Sequence, residues 1–176
     1  DFLSALEVSQ SVRARAGWQP MHLIAEDTRG AVIGVVPCYV KSHSRGEYVF
    51  DWAWASAYQQ HGIHYYPKWL AAIPFTPVPG ARLIARDSHQ QTLLAHTLVS
   101  HARESDMSSL HVLFAPPGEI EHLADAGMLT RRAVQFHWFN RDYSSFDDYL
   151  VSLAQPKRKK IRAEKRKVLT EGVVLE

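Results

Sequence analysis

Cysteine is almost missing from this chain: Cys38 is the only one in 176 residues. No disulfide framework can form within it, and a metal site built on paired thiolates has no second sulfur. Cys38 stands between Pro37 and Tyr39 in an apolar, strand-like run and reads as a small buried hydrophobe. Long apolar runs are lacking as well. None reaches the roughly 18 residues of a membrane span, and the first residues show neither the basic nor the apolar region of a signal peptide, so a cytoplasmic location is expected. The ten histidines are scattered without a His-Glu-x-x-His pattern. His61 and His64, three apart, have no supporting ligand, and no metal is expected. A Gly-x-Ser-x-Gly nucleophile motif is missing too, and no internal repeat is visible.

What the chain has in excess is local. Nine of its nineteen aromatic residues (5 Trp, 7 Tyr and 7 Phe) lie between Gly46 and Gly80: Tyr48, Phe50, Trp52, Trp54, Tyr58, Tyr65, Tyr66, Trp69 and Phe75. Lys41, His43, Glu47 and Asp51 stand among these rings or just upstream. Large flat apolar surfaces mixed with a few groups that orient or deprotonate a ligand are the makings of a binding pocket. Tyr48, Phe50, Trp52 and Trp54 alternate with Val49, Asp51, Ala53 and Ala55, a period of two that predicts an extended segment with its rings on one face. An amine that attacks an activated ester must lose a proton, and Asp51 and Glu47, then His43, are the candidate bases. Asp51, set between rings, is expected to have a raised pKa if no cation partners it.

The formal charge of +2 hides a second concentration. Up to Tyr149 the chain is close to neutral, whereas Lys157, Arg158, Lys159, Lys160, Arg162, Lys165, Arg166 and Lys167 crowd one short stretch. A helix starting near Pro156 sets four of these cations in its first turn, where the helix dipole disfavours each by about 0.3 to 1 kcal/mol. An anion bound there offsets that cost. Arg158 and Arg162, one turn apart, are the expected phosphate contacts, and the alternative is a solvated connector.

Along the chain, hydrophobic spacing predicts a helix over 2–16 and strands over 21–26 and 31–41, joined by the turn Asp27-Thr28-Arg29-Gly30. Beyond the aromatic segment it predicts strands over 81–85, 110–114 and 133–139, and helices over 88–104 and 119–126. Ser144-Ser145 caps a further helix before Pro156. The class is mixed α/β.

This order resembles the GNAT acyltransferase fold, whose mixed central sheet splays open between two neighbouring strands, here 81–85 and 110–114. The phrases Gly17-Trp18-Gln19-Pro20, Gly46-Glu47-Tyr48-Val49-Phe50-Asp51-Trp52-Ala53-Trp54, Tyr65-Tyr66-Pro67-Lys68, Pro74-Phe75-Thr76-Pro77-Val78 and Gln135-Phe136-His137-Trp138 resemble a bacterial FemAB-like family named for peptidoglycan biosynthesis or recognition. The likeness implies a GNAT-like domain over 1–155, a basic connecting helix over 156–171 and, at 172–176, the opening strand of a second GNAT-like half of a longer protein. It also implies transfer of an acyl or aminoacyl group to an amine of a peptidoglycan precursor or a related metabolite. The donor is an aminoacyl-tRNA, with tRNA as a partner, or an acyl-CoA, and no cofactor is required.

GNAT enzymes cradle the CoA pyrophosphate in a glycine-containing loop at a helix N-terminus. Here Arg86-Asp87-Ser88-His89-Gln90-Gln91 has no glycine, and Asp87 repels phosphate, so acetyl-CoA is not expected to bind this chain. In the reading the likeness implies, Tyr48, Trp52, Trp54, Tyr65 and Tyr66 hold the acceptor, Lys41 with Lys157, Arg158 and Arg162 binds phosphate, and Asp51, Glu47 and His43 orient or deprotonate the nucleophile. The alternatives are a CoA-dependent N-acetyltransferase and a noncatalytic module that recognises a cell-wall precursor or a nucleic acid.

Overall fold

The computed structural model describes residues 2–173. The chain divides into two compact units, Asp1–Arg131 and Arg132–Glu176.

The first unit opens with helix α1 (Phe2–Val8), half the length expected. Ser9 Oγ donates back to Leu6 O at 3.1 Å and Gln10 turns to φ 59°, which together end the helix early. A 3₁₀ turn, Ala14–Ala16, follows and is closed by Gly17 at φ 74°. A side chain at Gly17 would meet the ring of His43, so both backbone and space require glycine there.

Strands β1 (Trp18–Pro20), β2 (Leu23–Glu26), β3 (Val32–Val36) and β4 (Cys38–Lys41) come next. The hairpin between β2 and β3 is held by Asp27 Oδ1, which accepts from the amides of Arg29 and Ala31 at 2.8 and 2.9 Å. Pro37 has no N–H to give to a ladder and interrupts the apolar run. The strand predicted over 31–41 is therefore two strands, in two sheets. One sheet has the order β2-β3-β6, with β6 at Ile84–Ala85; the other is β1-β4-β5-β7, with β5 at Lys68–Ala71 and β7 at Leu110–Val112. The only parallel ladder among the described residues joins β5 to β7.

That ladder gives β7 a neighbour, β5, that the sequence reading did not name as a strand. Gly80 N–H and Arg82 Nε do donate to the carbonyls of Phe114 and Leu113 at 3.1 and 2.9 Å, but β6 itself pairs antiparallel with β3 in the other sheet.

Helix α3 (Ser88–Glu104) covers the sheets with Leu94, Ala95, Leu98 and Val99, spaced for one helical face. They pack with Val36, Cys38, Trp69, Ala71, Leu83 and with Leu123 of helix α4 (Pro117–Asp125). Gly34 lets α3 approach β3, since a Cβ there would lie 2.7 Å from Leu94 Cδ1.

Strand alternation sends the other set of side chains to the opposite face. Trp18, Tyr39 and Leu70 form a second buried cluster with Val12 and Ala72. By the same parity Lys41, Lys68 and His111 lie on that second face, Lys41 opposite Lys68 and His111 opposite Leu70.

Two sequence expectations fail for lack of a pairing partner. The aromatic alternation after Gly46 is not a strand: Tyr48 and Phe50 take φ 61° and 32°, and Trp52–Gln60 is helix α2. Residues 133–139, in the second unit, form no strand, and Phe136 is 94% exposed. Alternation supplies a face, but a strand also needs a ladder, and no ladder among the described residues includes this segment.

The second unit contains α5 (Phe146–Val151) and α6 (Gln155–Thr170). Ser145 Oγ caps α5 by accepting from Asp148 N–H at 3.1 Å, and proline stands in the first turn of α6. Of the expected strand at 172–176, residues 174–176 lie outside the described residues.

Candidate functional site

Lys68 opens β5 and pairs across the ladder with Lys41 of β4. Its side chain is fully buried, an expensive position for an ammonium unless every donor is met. All three donors are met. Nζ donates to Asp51 Oδ2 at 2.7 Å, Glu47 Oε2 at 2.9 Å and Ser44 Oγ at 2.9 Å, with His111 Nδ1 at 3.5 Å.

The loop between β4 and α2 makes this convergence by turning on residues with positive φ, Gly46, Tyr48 and Phe50, and so brings Ser44, Glu47 and Asp51 back over the sheet face. Asp51 occupies the N-cap position of α2, yet its carboxylate does not cap the helix. It is spent on the network: Oδ2 also accepts from Ser44 Oγ at 2.7 Å and Tyr65 Oη at 2.8 Å. Among the described residues, two buried oxygens of this network, Glu47 Oε1 and Asp51 Oδ1, have no hydrogen-bond partner.

The environments split the titrating groups. Burial pushes the Asp51 carboxyl up, but hydrogen bonds from Lys68, Ser44 and Tyr65 outweigh it and hold the group below the usual range. The rise expected in the absence of a partnering cation does not apply, because Lys68, 17 residues along the chain, is that partner. Glu47 goes the other way: burial raises its pKa more than the attraction of Lys68 lowers it. Burial, resisted by Glu47 and reinforced by Lys68, brings the Lys41 amine down to about 7. His111 is lowered by burial and by the Lys68 charge to about 4, so its ring is neutral at neutral pH.

A metal ion could draw ligands from Glu47, Asp51 and His111, whose ligand atoms lie within 4.8 Å of one another. The Lys68 ammonium already stands among them as the cation.

Tyr66 connects this network to the surface. Its hydroxyl is 2.8 Å from Ser44 Oγ. Ser44 has one hydrogen, which goes to Asp51, so Tyr66 is the donor in that contact and its own oxygen is left to accept. Tyr66 also lines an open groove of about 440 Å³ with His64, Pro67, Asp106, Met107 and Ser108.

The model of the FemAB-like family, described as peptidoglycan biosynthesis/recognition, matches residues 1–176. The chain belongs to the FemAB-like family. No curated protein and no solved structure matches it significantly. Among the described residues, no helix of this FemAB-like protein is long and apolar enough to cross a membrane.

Of the residues singled out in the sequence, the fold of this FemAB-like chain brings together Lys41, Glu47, Asp51, Tyr65 and Tyr66. Lys41 is enclosed, with Nζ 3.6 Å from the centre of the Trp18 ring and donating to Arg45 O at 3.3 Å. His43 packs against Gly17 and accepts the Arg45 N–H on Nδ1 at 3.2 Å, apart from the Lys68 contacts. Tyr48, Trp52 and Trp54 are exposed, the last two at 60% and 56%. Two positions apart on a helix is a rotation of about 200°, so Trp52 and Trp54 present their rings in different directions.

Lys157, Arg158 and Arg162 lie on α6 in the second unit. Arg158 donates to Val151 O at 3.1 Å, and Arg162 is 3.8 Å from Asp147. The FemAB-like residues that the sequence reading passed over as site residues are Lys68 and Ser44, and His111, read there as a core histidine, joins them. The signal for Lys68 was a lone lysine heading the apolar run Trp69-Leu70-Ala71, in which every position of β5 is buried.

Proposed function

We propose that this FemAB-like chain is the acceptor-handling part of an N-acyltransferase, of the Fem type within the GNAT superfamily, acting on an amine of a peptidoglycan precursor or a related metabolite. The observation that carries the reading is the Lys68 network, in which a buried carboxylate with a raised pKa and a free oxygen is linked through hydroxyls to an open groove. In the reaction, the acceptor nitrogen bonds to the carbonyl carbon of an acyl ester or thioester, and the carbon–oxygen or carbon–sulfur bond breaks. An ammonium acceptor sheds two protons on the way to an amide. One goes to the leaving alcohol or thiol and the other must leave through the protein or solvent.

Glu47 is the terminal acceptor for that second proton. Lys68 first releases a proton to Glu47, and its freed lone pair then takes the Ser44 hydrogen as Ser44 takes that of Tyr66 and Tyr66 takes one from the ammonium, so that Lys68 ends as an ammonium again and Glu47 holds the proton. Asp51 remains ionised and keeps Lys68 in place. General-base assistance of this kind is worth about 10² to 10⁴ in rate.

The donor is an aminoacyl-tRNA or an acyl-CoA. Asp87 bears on the choice, because its side chain accepts the Gln90 N–H at 2.8 Å and so fills the N-terminus of α3 with a carboxylate. An added CoA pyrophosphate would face that charge, which favours aminoacyl-tRNA.

A second reading, recognition of a precursor without catalysis, draws on the enclosure of Glu47, Asp51 and Lys68, which also suits a purely structural ion cluster. Mass spectrometry separates the two. Incubating the protein with an amine-bearing precursor and either donor should yield a new amide on the precursor. Binding of the precursor with no amide from either donor establishes the recognition reading instead.

A further inference from the structure

The groove beside Tyr66 has a chemistry of its own. It sits where β5 and β7 begin, and its walls are tied together: Ser108 N–H donates to Pro67 O at 2.9 Å, and Trp69 N–H to Ser109 O at 2.8 Å. Ser108 Oγ adds a bond to Tyr65 O. A groove fixed at both sides needs little reorganisation when a ligand enters.

Most of its polar side chains bring hydrogen-bond acceptors, and the exposed imidazole of His64 stands beside them. Tyr66 presents an oxygen whose hydrogen is already committed to Ser44, Asp106 presents an exposed carboxylate for which no ion pair is formed among the described residues, and Ser108 adds its hydroxyl oxygen. Between them, Pro67 and Met107 are apolar. Negative charge and hydrogen-bond acceptors flanking a short apolar floor complement a primary ammonium on an alkyl chain.

We propose that this groove is an alkylammonium-binding site in which Asp106 anchors the charge and Tyr66 receives an N–H. The inference rests on the transfer reading for its biological use, because it makes the groove the place where the acceptor amine waits. The Tyr66 contact sets the amine at the outer end of the hydroxyl chain that leads to Lys68 and Glu47. Asp106 then determines specificity, selecting an acceptor that arrives charged.

The test is an NMR titration of the whole chain with Nα-acetyl-lysine amide and with Nα-acetyl-norleucine amide, which has the same apolar chain without the ammonium. The lysine compound should give saturable shifts at Met107 and Ser108, weakened by added salt, while the norleucine compound should bind several times more weakly. Asp106→Asn should weaken the lysine compound roughly two- to fivefold, the worth of a solvent-exposed ion pair, with an unchanged melting temperature. Equal binding of the two compounds, undiminished binding by Asp106→Asn, or shifts elsewhere than the groove would overturn the proposal. No acyl donor takes part, so the two claims fail separately. Ammonium binding without amide formation removes the transfer reading and keeps the groove, whereas amide formation with no binding here removes the groove alone.

Discussion

Lys68 decides the site at the scale of single residues. One ammonium binds two buried carboxylates at 2.7 and 2.9 Å, and truncating it leaves uncompensated charge in a dry place. Lys68→Met is expected to cost about 3 to 5 kcal/mol of stability, read as a lower urea midpoint at constant slope, and the added change Asp51→Asn should recover part of the loss. A cost near zero would mean that water already reaches the cluster. Asp51, Glu47, Lys41, Tyr65 and Tyr66 were legible as a group because they are near one another in the chain and rich in rings. Lys68, Ser44 and His111 were not, since nothing local tells a lysine at the head of a strand that its partners lie 17, 21 and 24 residues back and 43 ahead.

Among elements, helix α3 was the most legible: its apolar spacing predicts a helix over 88–104, and the helix found is Ser88–Glu104. Strand β5 was the least. It is four residues long and buried at every position, so it carries no alternation to read. Helix α2 was mistaken for an extended segment because Trp52 and Trp54 continue the alternation of Tyr48 and Phe50, whereas the backbone reverses direction at exactly those two earlier positions, where φ is positive. The packing of α3 on β3 makes its own prediction. Gly34→Ala places a methyl 2.7 Å from Leu94 Cδ1, inside a core that has little room to yield. Overpacking of this kind costs about 1 to 3 kcal/mol, and a thermal melt of the variant should fall accordingly; an unchanged melting temperature would show that Leu94 has another rotamer available.

For the molecule as a whole, the buried bases set the dependence of stability on pH. His111 has an ordinary value of 6.5 and a folded value of about 4. Between those limits the unfolded chain binds more protons than the folded one, so stability falls as pH drops from 6.5 toward 4. Lys41, lowered from 10.5 to about 7, has the same sign in a higher window, and its contribution grows as pH rises from 7 toward 10.5. His111→Gln should flatten the acid side of a plot of melting temperature against pH and leave the alkaline side alone. A parallel displacement of the whole curve would assign His111 to packing.

The central claim, that the Lys68 network ends in a carboxylate that takes the proton of the acceptor amine, is tested most directly by kcat for amide formation in Glu47→Gln. This substitution keeps the shape and the contact with Lys68 but removes the base. The account predicts that kcat falls by about 10² or more while precursor affinity and melting temperature stay within error of the parent. Undiminished turnover would contradict it and return Glu47, with its free oxygen, to the structure of the fold.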